Sequence, residues 1–235
     1  VVVSEHAASM GGSQVYLEPN ETQTVNDMLK CISIASANDA SVAMAEHIAG
    51  SEEQFVAMMN QKAAQLGMNN TCFVNCYGLD TDGHYTTALD VAKMSRELIT
   101  KHSDIFRYST VWMDSITHVT KKGSSEFGLS NTNKLLKSYS GITGLKTGST
   151  GLAKYCLSAT ARRDNMDMIA VVMAAPDTKT RFQEAASLLN YGFANCTLYQ
   201  HAAKEVPVPD IPLTGGVLEK VQVRAKDNFS FVCTH

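Results

Sequence analysis

"GITGLKTGSTGLAKYCLSATA", residues 141–161, sets a lysine, a threonine and a glycine (Lys146, Thr147, Gly148) between a glycine-punctuated turn and a run that alternates like a strand. A lysine at the lip of a sheet can hold a carboxylate or tune a nearby hydroxyl. The threonine adds a hydroxyl for the same anion, and the glycine removes the Cβ that would keep a ligand off the strand backbone. Together the three make a docking edge for an extended peptide. Outward from this edge, "YCLSATARRDNMDMIAVVMAA" (155–175) reads as two strands joined by a turn around Asp164 and Asn165. The second is nearly continuous in apolar residues, which predicts a central position in the sheet. "TRFQEAASLLNYGFAN" (180–195) then turns helical, with Phe182, Ala185, Ala186 and Leu189 facing inward.

Upstream, "YSTVWMDSITHVT" (108–120) is β-branched and aromatic at short spacing and ends in the turn "KKGSSE", which predicts a strand or hairpin. The first hundred residues are helical in texture. "ANDASVAMAEHIAG" (37–50) repeats small and apolar positions (Ala40, Ala43, Met44, His47, Ile48) at three and four and closes on Gly50. In "SEEQFVAMMNQKAAQLG" (51–67), Ser51 and Gln54 make a capping box, and Phe55, Met58, Met59, Ala63 and Leu66 form one stripe. The Asn, Asp and Gly of "NNTCFVNCYGLDTDGHYTT" (69–87) predict a loop, after which Thr87 caps "ALDVAKMSRELIT". Helices followed by strands and one more long helix predict an α+β fold. Pro207, Pro209 and Pro212 mark a linker, and "VLEKVQVRAKDNFSFVCTH" (217–235) alternates like strands with nothing after them to pair with. The chain opens on three β-branched residues, "VVV", a start that reads like the middle of a strand.

Composition narrows the function classes. A net charge of −3 carries no basic excess to attract nucleic acid or an anionic membrane. No apolar run approaches the roughly 18 residues of a membrane span, and the first residues lack the basic start of a signal peptide. The six cysteines are scattered, the closest pair being the C-x-x-x-C of "CFVNC", a spacing that fits neither redox nor zinc-knuckle chemistry. No H-E-x-x-H and no Gly-rich nucleotide loop occurs, so metal-hydrolase and nucleotide chemistry start weak.

The partner for the lysine edge is "SIASANDASVA" (33–43), where Ser36 and Asn38 stand two apart before a helix. Two readings are open. Ser, Asn and Asp are all good helix N-caps. Alternatively Ser36 Oγ relays a proton to a leaving group while the Asn38 amide orients a substrate backbone, both facing Lys146 across a cleft.

S-x-N followed by K-T-G resembles the motif set of the penicillin-recognising serine enzymes. Within that group the chain looks like a D-alanyl-D-alanine carboxypeptidase of the low-molecular-mass penicillin-binding type, peptidase family S11. The likeness spans about residues 9–195, through "GGSQVYLEPNE", "SANDASVAMAEHIAGSEEQF", "YGLDTDGHYTTALDVAKMS", "NTNKLL", "GLKTGSTGLAKYC" and "RFQEAASLLNYGF", in that order. It implies a two-lobe fold of the β-lactamase/DD-peptidase kind, an antiparallel sheet plus a helical lobe. Residues 1–199 would be the catalytic domain and 200–235 a linker with the first strands of a β-rich domain.

Carried over by motif, the resemblance gives Ser36, Asn38 and Lys146 catalytic roles. It makes Thr147, Gly148 and Ser149 substrate-binding, the Ser149 N–H as an oxyanion donor. Arg181 matches an arginine that helps bind the substrate's terminal carboxylate; the other reading is a surface charge near a helix start. Ala37 and Lys154 stand where the family usually has glycine. No metal or organic cofactor is implied. The implied partner is a peptidoglycan stem peptide ending in D-Ala-D-Ala, with β-lactam antibiotics as inhibitors, no nucleic acid, and a membrane only through segments outside this chain. The implied setting is the cell envelope, for an exported protein with a part in cell shape.

One family element is missing: no serine here has lysine three places on, so the nucleophile's S-x-x-K is expected on a segment upstream of this chain. Three hypotheses follow, an active DD-peptidase whose nucleophile lies elsewhere, a serine β-lactamase, and a peptide-binding domain without chemistry. Against the second, no glutamate is followed four places later by asparagine, the pattern that holds a hydrolytic water in class A β-lactamases.

Overall fold

The computed structural model describes residues 1–234; His235, the last residue of the expected second unit, lies outside them. The first half supplies α1 (Glu5–Ala8), α2 (Val25–Ser33), α3 (Asn38–Ala49), α4 (Glu52–Gln65), α5 (Ala88–Lys101) and α6 (Phe106–Ser109). A hairpin, β1 (Met113–Thr120) with β2 (Gly123–Ser130), and the short α7 (Leu135–Ser138) follow. Then come β3 (Ile142–Thr150), β4 (Lys154–Arg163), β5 (Met166–Ala175) and α8 (Thr178–Asn195). The chain ends in β6 (Cys196–His201), β7 (Ile211–Pro212), β8 (Lys220–Val221) and β9 (Phe229–Thr234). Residues 1–3 are extended, Val2 bridging Thr22, before α1 begins.

Two cores define two lobes. The first gathers Val3, Ala7 and Val15 with the inner faces of α2 and α3 (Met28, Ile34, Ala40, Ala43) and with Ile116 and Leu129 of the hairpin. Ala40, Ala43 and Ala45 of α3 are fully buried, so its backbone approaches its neighbours closely. The second core lies between the antiparallel sheet β3-β4-β5 and α8, where Leu157, Ala159 and Val172 meet Phe182, Ala185 and Leu189. On the opposite face Ser158 Oγ bonds Ser95 Oγ of α5 at 2.7 Å. The predicted α+β fold is observed.

Several expectations are corrected. β5 is an edge strand and β4 the central one. The apolar run of β5 reflects cover on both faces, by α8 and by α5, rather than a strand on each side. Residues 106–109 are a helical turn, closed by Thr110 Oγ1 donating to Phe106 O at 2.6 Å, and the strand starts only at Met113. On α4, Ala63 alone of the predicted stripe is buried; Phe55, Met58, Met59 and Leu66 line an open groove with Met68, Phe73 and Met94. His47 and Ile48 of α3 are exposed, and Val42 and Ala45 are buried instead. The last strand does have a partner: β9 turns back to pair antiparallel with β6, Tyr199 opposite Phe231.

Candidate active site

The site lies where the two lobes meet. Between α2 and α3 the chain turns through Ser36 at φ +59, a left-handed conformation that a serine adopts only under constraint. Ala37 is the N-cap of α3 and makes no side-chain cap bond, so Ser36 does not cap the helix. Its Oγ accepts a hydrogen bond from Lys146 Nζ at 2.7 Å, across the 110-residue separation. The ammonium also donates to Thr147 O at 2.8 Å. Burial, helped by the charge of Arg181, pushes the Lys146 ammonium down to about 8.

Asn38 is the first residue of α3 and is buried. Its N–H donates to Ser13 O at 2.7 Å and its Nδ2 to Gly11 O at 2.8 Å, so the amide anchors the 11–13 loop as well as lining the cleft. At position 12, held at φ +81, only glycine fits, because a Cβ there would stand 2.7 Å from Asn38 Nδ2. Behind it Asp39 is wholly buried and accepts from Val15 N and Leu17 N, each at 3.1 Å through Oδ2. The turn that carries Ser36 and Asn38 is thereby fixed to the segment in front of it.

On the sheet side, β3 pairs with β4 alone among the described residues, leaving its other edge to the cleft. Thr147 is buried and its hydroxyl bonds that of Thr132. Gly148 is exposed, with nothing within 4 Å of where a Cβ would point, and Ser149 beside it is exposed too. Arg181, in the first turn of α8, is 5% exposed, which removes the reading as a surface charge. Its Nη1 donates to Gly148 O at 3.0 Å and Cys156 O at 3.2 Å, and its Nε has no partner. Burial lowers its affinity for the proton. Neither Lys146 nor Arg181 forms an ion pair among the described residues. A half-buried lysine and a buried arginine, without a carboxylate partner among the described residues, make a receptor for an anionic ligand.

All seven sequence-predicted residues line one cleft of about 690 Å³. Of the two usual glycine positions, Ala37 has an ordinary extended φ of −72, whereas Lys154 sits at φ +55, the conformation a glycine would favour. Sequence reasoning missed five contributors. Gly12 and Ser13 form one rim, and Leu79 of the 75–84 loop forms another part of the wall. Thr132 is presented by Asn131 and Asn133, which hold its turn by accepting from Asn133 N at 2.9 Å and Leu135 N at 3.2 Å; the N-T-N triplet was the available signal. Asp80 latches the loop to the sheet, accepting from Thr150 Oγ1 at 2.6 Å and Leu152 N at 3.0 Å. The Thr150 hydrogen bond, before the backbone ones, holds its carboxyl below the usual range. Among the described residues no group of three His, Cys, Asp or Glu side chains could hold a metal.

The two-lobe α+β fold is shared with solved penicillin-binding proteins and DD-transpeptidases. Penicillin-binding protein 5 of Haemophilus influenzae superposes with a TM-score of 0.82 at 30% identity, covering all of this chain and 67% of its own. Residues 1–177 match the D-alanyl-D-alanine carboxypeptidase family, peptidase S11, and the chain belongs to that family. It is 44% identical over 232 residues to the D-alanyl-D-alanine carboxypeptidase DacF of Bacillus subtilis, covering 99% of this chain and 59% of that protein. To DacC of Escherichia coli it is 37% identical over 188 residues, 79% of this chain and 45% of that one. The chain thus spans about half the length of the curated relatives it matches. The predicted family and fold are borne out.

Proposed function

We propose that this chain is part of a serine-type D-alanyl-D-alanine carboxypeptidase that trims the terminal D-alanine from peptidoglycan stem peptides through an acyl-enzyme. The observation that carries the proposal is the 2.7 Å contact of Lys146 Nζ with Ser36 Oγ, beside an Arg181 that has no acidic partner among the described residues. The nucleophile would be the serine of an S-x-x-K segment outside these 235 residues. An apolar cavity of about 470 Å³, lined by Ile32, Val91, Met94, Leu98, Leu145 and Val171, opens beside Lys146 and suits a helix bearing that motif.

In this reading the serine of S-x-x-K gives its hydroxyl proton to the lysine of the same motif as its oxygen bonds the carbonyl carbon between two D-alanines. The C–N bond breaks, and Ser36 passes a proton to the departing amine, itself resupplied from Lys146. A lysine near 8 exchanges protons close to neutral pH, which suits a relay. The terminal carboxylate of the substrate takes the place between Lys146, Thr147 and Arg181, and the Ser149 N–H supports the developing oxyanion. Water then releases the shortened peptide.

β-Lactams, which mimic the substrate, would acylate the same serine. The protein would work in the cell envelope after export, with a part in cell shape. Residues 1–199 would form the catalytic unit and 200–235 a linker opening a β-rich one, with β6 straddling the boundary.

The test is a comparison of D-alanine release from an N-acylated peptide ending in D-Ala-D-Ala with hydrolysis of benzylpenicillin, both by the full-length protein. Peptide cleavage with slow penicillin turnover is expected. Rapid penicillin hydrolysis would favour the β-lactamase reading, and no turnover of either would favour the binding domain.

A further inference from the structure

The segment that carries Gly12 and Ser13 into the cleft continues to a second cavity. Val15 and Leu17 are buried and give their N–H groups to Asp39, so the residue between them has one way to turn. That residue is Tyr16, 65% exposed, held at φ +62. Its ring meets Phe127 of β2 edge-on, centroids 5.9 Å apart at 67°, and the two make an aromatic corner. The corner bounds a cavity of about 340 Å³ whose other walls include Glu18, His118, Lys122, Ser124 and Ser125. This volume falls within the usual range of small-ligand sites, roughly 300–1,000 Å³. His118 is itself buried, with Nδ1 engaged by Glu21 at 2.8 Å and Nε2 left without a partner.

We infer that this cavity is a saccharide subsite that takes a sugar ring of the glycan strand whose stem peptide occupies the catalytic cleft. The inference rests on the wall-peptide reading above. A pyranose has an apolar C–H face that stacks on an aromatic ring and a rim of hydroxyls that needs polar partners, and the cavity supplies both. Charge argues for a neutral ligand: Lys122 Nζ is taken by Glu18 at 2.8 Å, so the wall has no free ion for the carboxylates of a peptide. Position argues for the same polymer. Tyr16 is three residue steps from Ser13 in the cleft, at most about 10 Å of extended chain, close enough for a peptide branch and its sugar to be held together.

The probe is the β-1,4-linked tetramer of N-acetylglucosamine, titrated into the full-length protein by calorimetry, beside turnover of polymeric peptidoglycan and of a free D-Ala-D-Ala peptide. Tyr16→Gly removes the ring while relieving its backbone, so folding is not put at risk, and Tyr16→Phe keeps the stacking face. The expected result is tetramer binding that weakens by about tenfold in Tyr16→Gly and survives in Tyr16→Phe, with the ratio of polymer to free-peptide turnover falling to match. No tetramer binding, binding that Tyr16→Gly leaves unchanged, or an unaltered ratio overturns the subsite. Displacement of the tetramer by the free peptide would also overturn it, in favour of a second peptide site. If the wild type cleaves neither substrate, the proposed function fails, while the calorimetry still decides the subsite.

Discussion

Replacing Arg181 by alanine separates what the guanidinium does for the substrate from what it does for the fold. In the structure it is 5% exposed and donates to two backbone carbonyls, Gly148 O on β3 and Cys156 O on β4. Losing those bonds loosens the β3 edge by about 1 kcal/mol for each, a loss that falls on every substrate alike. The charge-assisted grip on a terminal carboxylate is worth about 1.5 to 3 kcal/mol more, a factor of roughly 10 to 150 in kcat/KM, and only a substrate with a free carboxylate feels it. The assay is kcat/KM of the full-length protein on a peptide ending in D-Ala-D-Ala and on its C-terminal amide. Arg181→Ala should reduce the first by roughly 10 to 150-fold more than the second. A second readout comes from Lys146, whose proton affinity is lowered by burial and then by the charge of Arg181. The substitution removes the repulsion and admits water, so the pH limb belonging to Lys146 should move above about 8. Equal losses on the two substrates with an unmoved limb would mean that Arg181 only ties β3 to β4.

Wild-type affinity for the free-carboxylate peptide should fall as pH rises through about 8, because Lys146 surrenders its charge there, while affinity for the amide stays flat; fluorescence titration across that range checks it, and parallel curves would refute it. Gly12→Ala places a Cβ 2.7 Å from Asn38 Nδ2 at φ +81, so a loss of about 1 to 3 kcal/mol in denaturant unfolding is expected. Unchanged stability would show that the 11–13 loop is not held as described. Asp80→Ala releases the 75–84 loop from Thr150 and Leu152, and hydrogen exchange in that loop should quicken while the core of β4 and α8 keeps its protection.

The sequence showed the fold through local signals that survive packing. Ser51 and Thr87 each cap a helix in the structure, and Asp164 and Asn165 both take φ above zero in the turn between β4 and β5. Strand order was harder to read, because an apolar run reports burial and not what covers it: β5 is covered by helices. The stripe on α4 misled for a related reason, since helical periodicity marks an apolar face without saying that anything packs on it. In the site, S-x-N and K-T-G were legible as motifs, but the choice between capping and catalysis for Ser36 required its backbone, turned left-handed toward Lys146. Thr132 had a signal in its N-T-N triplet, but Leu79 and Asp80 sit in a loop of polar composition, where nothing local says that one lines the cleft and the other latches to the sheet.

On the proposed function this chain provides the substrate wall and the proton relay, while the nucleophile belongs to another segment. The most direct measurement is incubation with a radiolabelled penicillin, of the 235-residue chain and of the full-length protein in parallel, with circular dichroism to confirm that both are folded. The account predicts no covalent label on the 235-residue chain and one label per molecule on the full-length protein, mapped to the serine of S-x-x-K and slowly released. A label on the folded 235-residue chain that maps to Ser36 would contradict it.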